Sequence, residues 1–167
     1  MSVGSADLQK AIVTVWDAAN LDDVFLALRN ASVVDAEFPV LNDQEVIAGG
    51  VFPYCVFQGY DGTTTDRMSS VNDGFMREVR DLPLEFRIYA RAVSGDDRTA
   101  KGIAAYLAEE VMKVFGGHPT TSPTAPTLDN GNFLLAQYQT DTGLHLGDDE
   151  YQWSLTYLCR LDVPVGI

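Results

Sequence analysis

From Glu150 to Val163 the chain reads EYQWSLTYLCRLDV and alternates for about a dozen residues. Tyr151, Trp153, Leu155, Tyr157, Cys159 and Leu161 fall on one side, with Gln152, Ser154, Thr156, Arg160 and Asp162 on the other. A period of two marks a strand that buries one face. Twelve residues at ~3.3 Å each span roughly 40 Å, well beyond the common strand of about 5–6 residues. Such a strand either curls over its own core or extends far enough to meet a neighbouring subunit. A second strand runs from Phe133 to about Thr140, and the acidic, glycine-containing DTGLHLGDDE between the two predicts an antiparallel hairpin.

Two further strands lie upstream. LEFRIYARA sets Leu84, Phe86, Ile88 and Ala90 against Glu85, Arg87, Tyr89 and Arg91, the pattern of a half-buried strand. GGVFPYCVFQGYDG is apolar, aromatic and bracketed by glycines, with Pro53 restricted to a strand start, an edge or a bulge.

Three segments carry the helical period. SGDDRTAKGIAAYLAEEVMKVFGG aligns Ala100, Ile103, Leu107, Val111 and Val114, places Asp96 and Asp97 in its first turn, and stops at Gly116 and Gly117. SADLQKAIVTVWDAAN aligns Leu8, Ile12, Val15 and Trp16 behind an N-cap at Ser5. NLDDVFLALRN predicts a short turn capped by Asn20, with Leu21, Val24, Phe25 and Leu28 inward and Asp22 and Asp23 at its start.

Two stretches follow neither period. DGTTTDRMSSVNDGFMREVRD mixes polar residues with Met68, Val71, Phe75 and Met76, and its length suits a functional loop or an arm that orders on a partner. HPTTSPTAPTLDNGN, rich in proline and threonine, predicts an exposed extended loop. The expectation is a single domain, 1–167, with long loops or arms about 61–83 and 117–131. Its class is α+β: a twisted, mostly antiparallel sheet with two main helices packed on one face and a long C-terminal β-hairpin.

Composition adds a core and a charge. At 167 residues and 46% hydrophobic, with two Trp, eight Phe and seven Tyr, the chain has enough apolar surface for one globular core. No stretch approaches the ~20 apolar residues of a membrane span, and MSVGSADLQK lacks the features of a secretory signal, so synthesis in the cytosol is expected. Cys55 and Cys159 sit in predicted strands outside any paired-cysteine motif and read as buried reduced thiols. The formal charge is −13, from 24 acidic and 11 basic residues. Wrapping nucleic acid would demand cations set against that field, whereas DNA sliding past without sticking is compatible with it.

Catalytic signatures are missing from the sequence. The two histidines, His118 and His145, fall in predicted loops outside HExxH or any zinc spacing. YDGTTTD at 60–66 and LDNGNF at 128–133 lack the ligand spacing of a calcium loop and read as turns. Neither a phosphate-cradling loop nor a GxSxG elbow occurs. No catalytic, cofactor-binding or metal residue is nominated, and a non-enzymatic role is expected.

The order of elements is an amphipathic N-terminal helix, the FPYCVFQ strand, and LEFRIYARA leading through SGDD into RTAKGIAAYLAEEVMKVF. A final hairpin then ends in YQWSLTYLCRLDVP. Taken together it resembles the tail-completion or tail-terminator (neck) proteins of long-tailed bacteriophages. The resemblance covers about two thirds of the chain and lies in element order more than in any single motif. It implies a structural subunit of a closed ring, commonly a hexamer, that caps the tail tube, stops its polymerisation and joins it to the head. The implied partners are other copies of the chain, the tail tube protein, a head–tail connector or stopper protein, and genomic DNA passing through the bore without specific binding. It implies no membrane partner and no cofactor, and a location in the virion after assembly in the host cytoplasm. Candidate subunit or tube contacts are Met68, Phe75, Met76, Arg87, Arg91, Leu158 and Arg160. The alternatives are another virion ring or tube protein, or a small ligand-binding domain or enzyme.

Overall fold

The computed structural model describes residues 3–29, 38–43, 51–59, 63–69, 75–129, 132–147 and 149–166. In chain order the elements are α1 (Val3–Ala18), α2 (Leu21–Leu26), β1 (Leu41–Asn42), β2 (Tyr54–Gly59), β3 (Thr63–Ser69) and β4 (Phe75–Arg91). They are followed by α3 (Ala100–Phe115), β5 (Asn132–Gly147) and β6 (Glu150–Gly166). The class is the α+β expected, with all described strands in one sheet of order β1-β2-β4-β6-β5 and β3 also paired to β4. Every pairing is antiparallel except β1 with β2.

The register explains the long terminal strand. β6 pairs along the whole of β4, from Phe75 opposite Gly166 to Arg91 opposite Glu150. The other edge of β4 is shared end to end, with Tyr54–Gly59 of β2 opposite Leu84–Tyr89 and Thr63–Ser69 of β3 opposite the residues from Met76 to Asp81. The length of β6 is therefore matched inside its own chain.

One face of the sheet carries the core. Leu82, Leu84, Phe86, Ile88 and Ala90 of β4 are buried together with Cys55 and Phe57 of β2 and Tyr151, Leu155, Tyr157, Cys159, Leu161 and Val163 of β6. Against them pack Leu8, Ile12, Val15 and Trp16 of α1, Leu21 and Phe25 of α2, and Ala100, Ile103, Leu107, Val111 and Phe115 of α3. Trp16 occupies the centre, its ring 5.5 Å from Phe25, 6.2 Å from Phe86 and 6.5 Å from Phe115. Its indole N–H donates to Asp22 Oδ1 at 2.7 Å, so the polar end of a buried aromatic is satisfied by the next helix. Gly116 and Gly117, at φ 124° and 98°, end α3 in a conformation that side chains with a Cβ resist.

Several expectations are corrected. The segment 61–83, read as a loop or arm without period, contains β3 and the first half of β4. β3 is paired by the start of β4, from Ser69 opposite Met76 to Thr63 opposite Asp81, and that part of β4 by the distant end of β6, while the threonine-rich β3 has no apolar alternation to display. β5 continues to Gly147 through most of the stretch expected to be the hairpin loop, so His145 lies on a strand. His118 does lie in a loop, with its side chain 11% exposed and Nε2 3.1 Å from Glu109.

The helix starts also differ. α1 begins at Val3, ahead of Ser5. α3 begins at Ala100, where Thr99 Oγ1 accepts from the Gly102 N–H at 3.1 Å, while Asp96 instead accepts from the Arg98 backbone and guanidinium. Asn20 adopts φ 54°, ψ 38° and makes no side-chain cap bond. By contrast Pro53 stands immediately before β2, after a cis peptide bond, in keeping with its expected place at a strand start.

Candidate functional site

Alternation along β4 and β6 sends the complementary residues to the sheet face opposite the helices. There the nominated arginines meet carboxylates of their own chain. Arg160 Nε donates to Asp81 Oδ1 at 2.7 Å and Nη2 to Oδ2 at 2.9 Å, a two-pronged bridge between directly opposed residues of β6 and β4. That bond holds the Asp81 carboxyl below its usual range and raises Arg160. Arg91 pairs with the opposed Glu150, its Nε donating at 3.0 Å, and its guanidinium lies 4.2 Å from the centre of the Phe52 ring. Arg87 pairs with Glu85 two residues away on the same strand. Leu158 stands half-buried opposite Pro83.

Tyr54 and Val56 of β2 form a second, smaller apolar cluster on this face with Tyr89, flanked by Phe38 and Phe52. The Tyr54 and Tyr89 rings stack at 4.7 Å. Of the remaining nominated residues, Met68 lies on β3 opposite Arg77, Met76 on β4 opposite Ser69 and Val165, and Phe75 opposite Gly166. The side chains of these three lie outside the described residues.

Charge is divided unevenly between the sheet and the rest of the chain. The strands carry six basic residues, Arg67, Arg77, Arg80, Arg87, Arg91 and Arg160, against seven acidic ones. The remainder holds five basic residues and seventeen acidic ones. The formal charge of the sheet is thus −1 and that of the helices and connections −12. The alternating patterns displayed individual charged positions, but only the register reveals that the strands compensate one another.

Sequence reasoning missed the far end of the β5–β6 hairpin. Asp141 accepts from the Tyr138 hydroxyl at 2.6 Å through Oδ1 and from the Trp153 indole at 3.0 Å through Oδ2, clasping the two strands. Burial and that carboxylate push the Tyr138 hydroxyl up to about 12. Leu144 and Leu146, on the same stretch of β5, are 58% and 44% exposed. A signal was present: Leu144, His145 and Leu146 alternate inside the supposed loop.

A hollow of about 620 Å³ lies between α1 and residues 39–43, lined among others by Gln9, Lys10, Val13, Asp17, Asp43 and Phe57. Among the described residues, no three His, Cys, Asp or Glu side chains gather as metal ligands would. Both cysteines are free and buried, and burial raises both thiols, Cys159 to about 12.

No protein-family model and no curated protein matches the sequence. Among solved structures, the chain is similar to one described as the virion of a native gene transfer agent (GTA) particle, with a TM-score of 0.43 and 14% identity. The similarity covers 83% of this chain and 92% of that one.

Proposed function

We propose that this protein is a structural subunit of a tail-terminator or neck ring in a phage-like particle. In this reading, copies of the chain close into a ring, commonly a hexamer, that caps the tail tube, ends its polymerisation and joins it to the head. Its partners are the tube protein, a connector or stopper, and DNA passing through the bore. It acts in the virion by shape and carries out no reaction.

The observation that carries the reading is the separation of charge. A chain of net charge −13 repels its own copies, and close packing between them needs a surface free of that surplus. The sheet supplies one, because Arg80, Arg87, Arg91 and Arg160 are each matched by a carboxylate on the same or the adjacent strand. Acid-rich helices and connections leave passing DNA without a cationic surface to grip. Arg87, Arg91, Leu158 and Arg160 all lie on the compensated face and belong to the proposed contact, as do Met68, Phe75 and Met76 by their place on β3 and β4.

Electron microscopy of the purified full chain tests the proposal. Short rings are expected. Long tubes would reassign the chain to the tube, and a strictly monomeric species at high concentration would remove the ring reading.

A further inference from the structure

Among the described residues the sheet has two open sides, and they are unlike. On one, β5 has no strand beyond it among the described residues. On the other, β3 and the Phe57–Gly59 end of β2 pair only with β4 among the described strands. An open strand edge presents unsatisfied N–H and C=O groups, and proteins ordinarily protect such an edge with lysine, proline, bulges or a covering element. β5, NFLLAQYQTDTGLHLG, contains no proline, lysine or arginine over its sixteen residues.

The pairing of β5 with β6 is irregular between Phe133 and Leu135, Tyr138 and Thr140, and His145 and Gly147. From Thr140 to His145 it is regular. This regular run is solvent-exposed, holds Leu144 and adjoins Leu146. Its sole carboxylate, Asp141, is already engaged by Tyr138 and Trp153. An exposed, regular, nearly uncharged edge on so acidic a protein combines what strand addition requires: open backbone groups, apolar side chains and little local repulsion.

We infer that the Thr140–Leu146 edge of β5 docks a second copy of this chain, which enters by its opposite sheet edge. The directions of the strands support that occupant. β5 runs antiparallel to β6 and hence alongside β4 in the same sense, whereas β2 and β3 run against β4. Setting β5 of one copy beside β2 or β3 of the next therefore continues the sheet as an antiparallel ladder. Because the two edges differ, the contact is head-to-tail, the kind that repeats and can close on itself. The inference rests on the ring reading and specifies its contact strand.

The test is sedimentation velocity on the full chain over a range of concentrations at low and high salt, with hydrogen exchange on the assembled fraction. The variants are Leu144→Lys/Leu146→Lys and the milder Leu144→Ser/Leu146→Ser, with Val13→Lys on α1 as a control. Since both leucines are exposed, the variants are expected to keep the wild-type melting temperature. The assembly midpoint is expected to rise at least about tenfold for the lysine variant and less for the serine variant, with no change for the control. Higher salt is expected to favour assembly of the wild type, and assembly to slow exchange at Thr140–Leu146. A wild type that assembles while both leucine variants assemble equally well, without protection of this edge, overturns the docking strip and leaves the ring reading standing. A wild type that stays monomeric throughout overturns both.

Discussion

The Tyr157 hydroxyl donates to the Gly116 carbonyl at 2.7 Å, fastening the C-terminal end of α3 to the middle of β6. Both residues are buried, and Tyr157 also meets Phe86 edge-on at 6.0 Å and Tyr138 at 5.8 Å. A helix end leaves carbonyls without intrahelical partners, and a buried one needs a donor from elsewhere. The hydroxyl supplies it, at a cost to its own ionisation that burial sets well above the ordinary phenol range.

Tyr157→Phe removes the donor while keeping the ring. It is expected to lower stability by about 1–2 kcal/mol, because the buried Gly116 carbonyl loses its partner. Urea unfolding should show a lower midpoint with an unchanged slope. An unchanged midpoint would mean that water replaces the hydroxyl.

Gly143 illustrates a different constraint. A Cβ placed there would collide with Tyr151 Oη and lie 2.6 Å from Cζ, so the Tyr151 ring passes directly over the glycine. Gly143→Ala is expected to displace that ring and cost about 1–3 kcal/mol. The equally small substitution Ala105→Gly on α3 should act only through helix propensity, about 1 kcal/mol. Thermal unfolding of the two variants side by side checks the difference in cause when combined with Tyr151→Ala. That change should relieve Gly143→Ala alone.

The Asp81–Arg160 pair ties stability to pH and salt. The folded carboxyl titrates below its unfolded value, so its contribution is present above the unfolded range, near pH ~4, and is lost as pH falls through the lower folded value. Arg160 is 42% exposed, and solvent screening limits the pair to about 0.2–1 kcal/mol. A double-mutant cycle with Asp81→Asn and Arg160→Gln should return that coupling at neutral pH, with less at high salt and none in strong acid.

The two thiols offer a probe of packing. Burial raises both, Cys159 to about 12, so the folded protein holds them as neutral thiols at neutral pH. A thiolate-specific reagent at pH ~8 should modify neither until the chain unfolds, and both should then react together. Rapid modification of either one in the folded protein would contradict the burial of its strand.

Much of this architecture was written in local pattern. The alternation of β6 and of LEFRIYARA, and the stripes of α1 and α3, follow from burying one side of each element. Leu8, Ile12, Trp16, Ile103, Leu107 and Val111 accordingly line the core as their spacing demanded. Acidity and the buried cysteines were equally plain. What the chain could not display locally was anything defined by the pairing of two segments. β3 has few apolar residues and becomes a strand because β4 lies beside it, and β5 runs on through a glycine-containing stretch because β6 continues opposite. The bridging of Arg160 to Asp81 and of Arg91 to Glu150 depends on register, which places residues 79 and 59 positions apart side by side. Periodicity thus determined which face each element buries. Tertiary pairing alone decided where strands end, which charges cancel and which edge is left without a neighbour among the described strands, since those are properties of neighbours and of no single stretch.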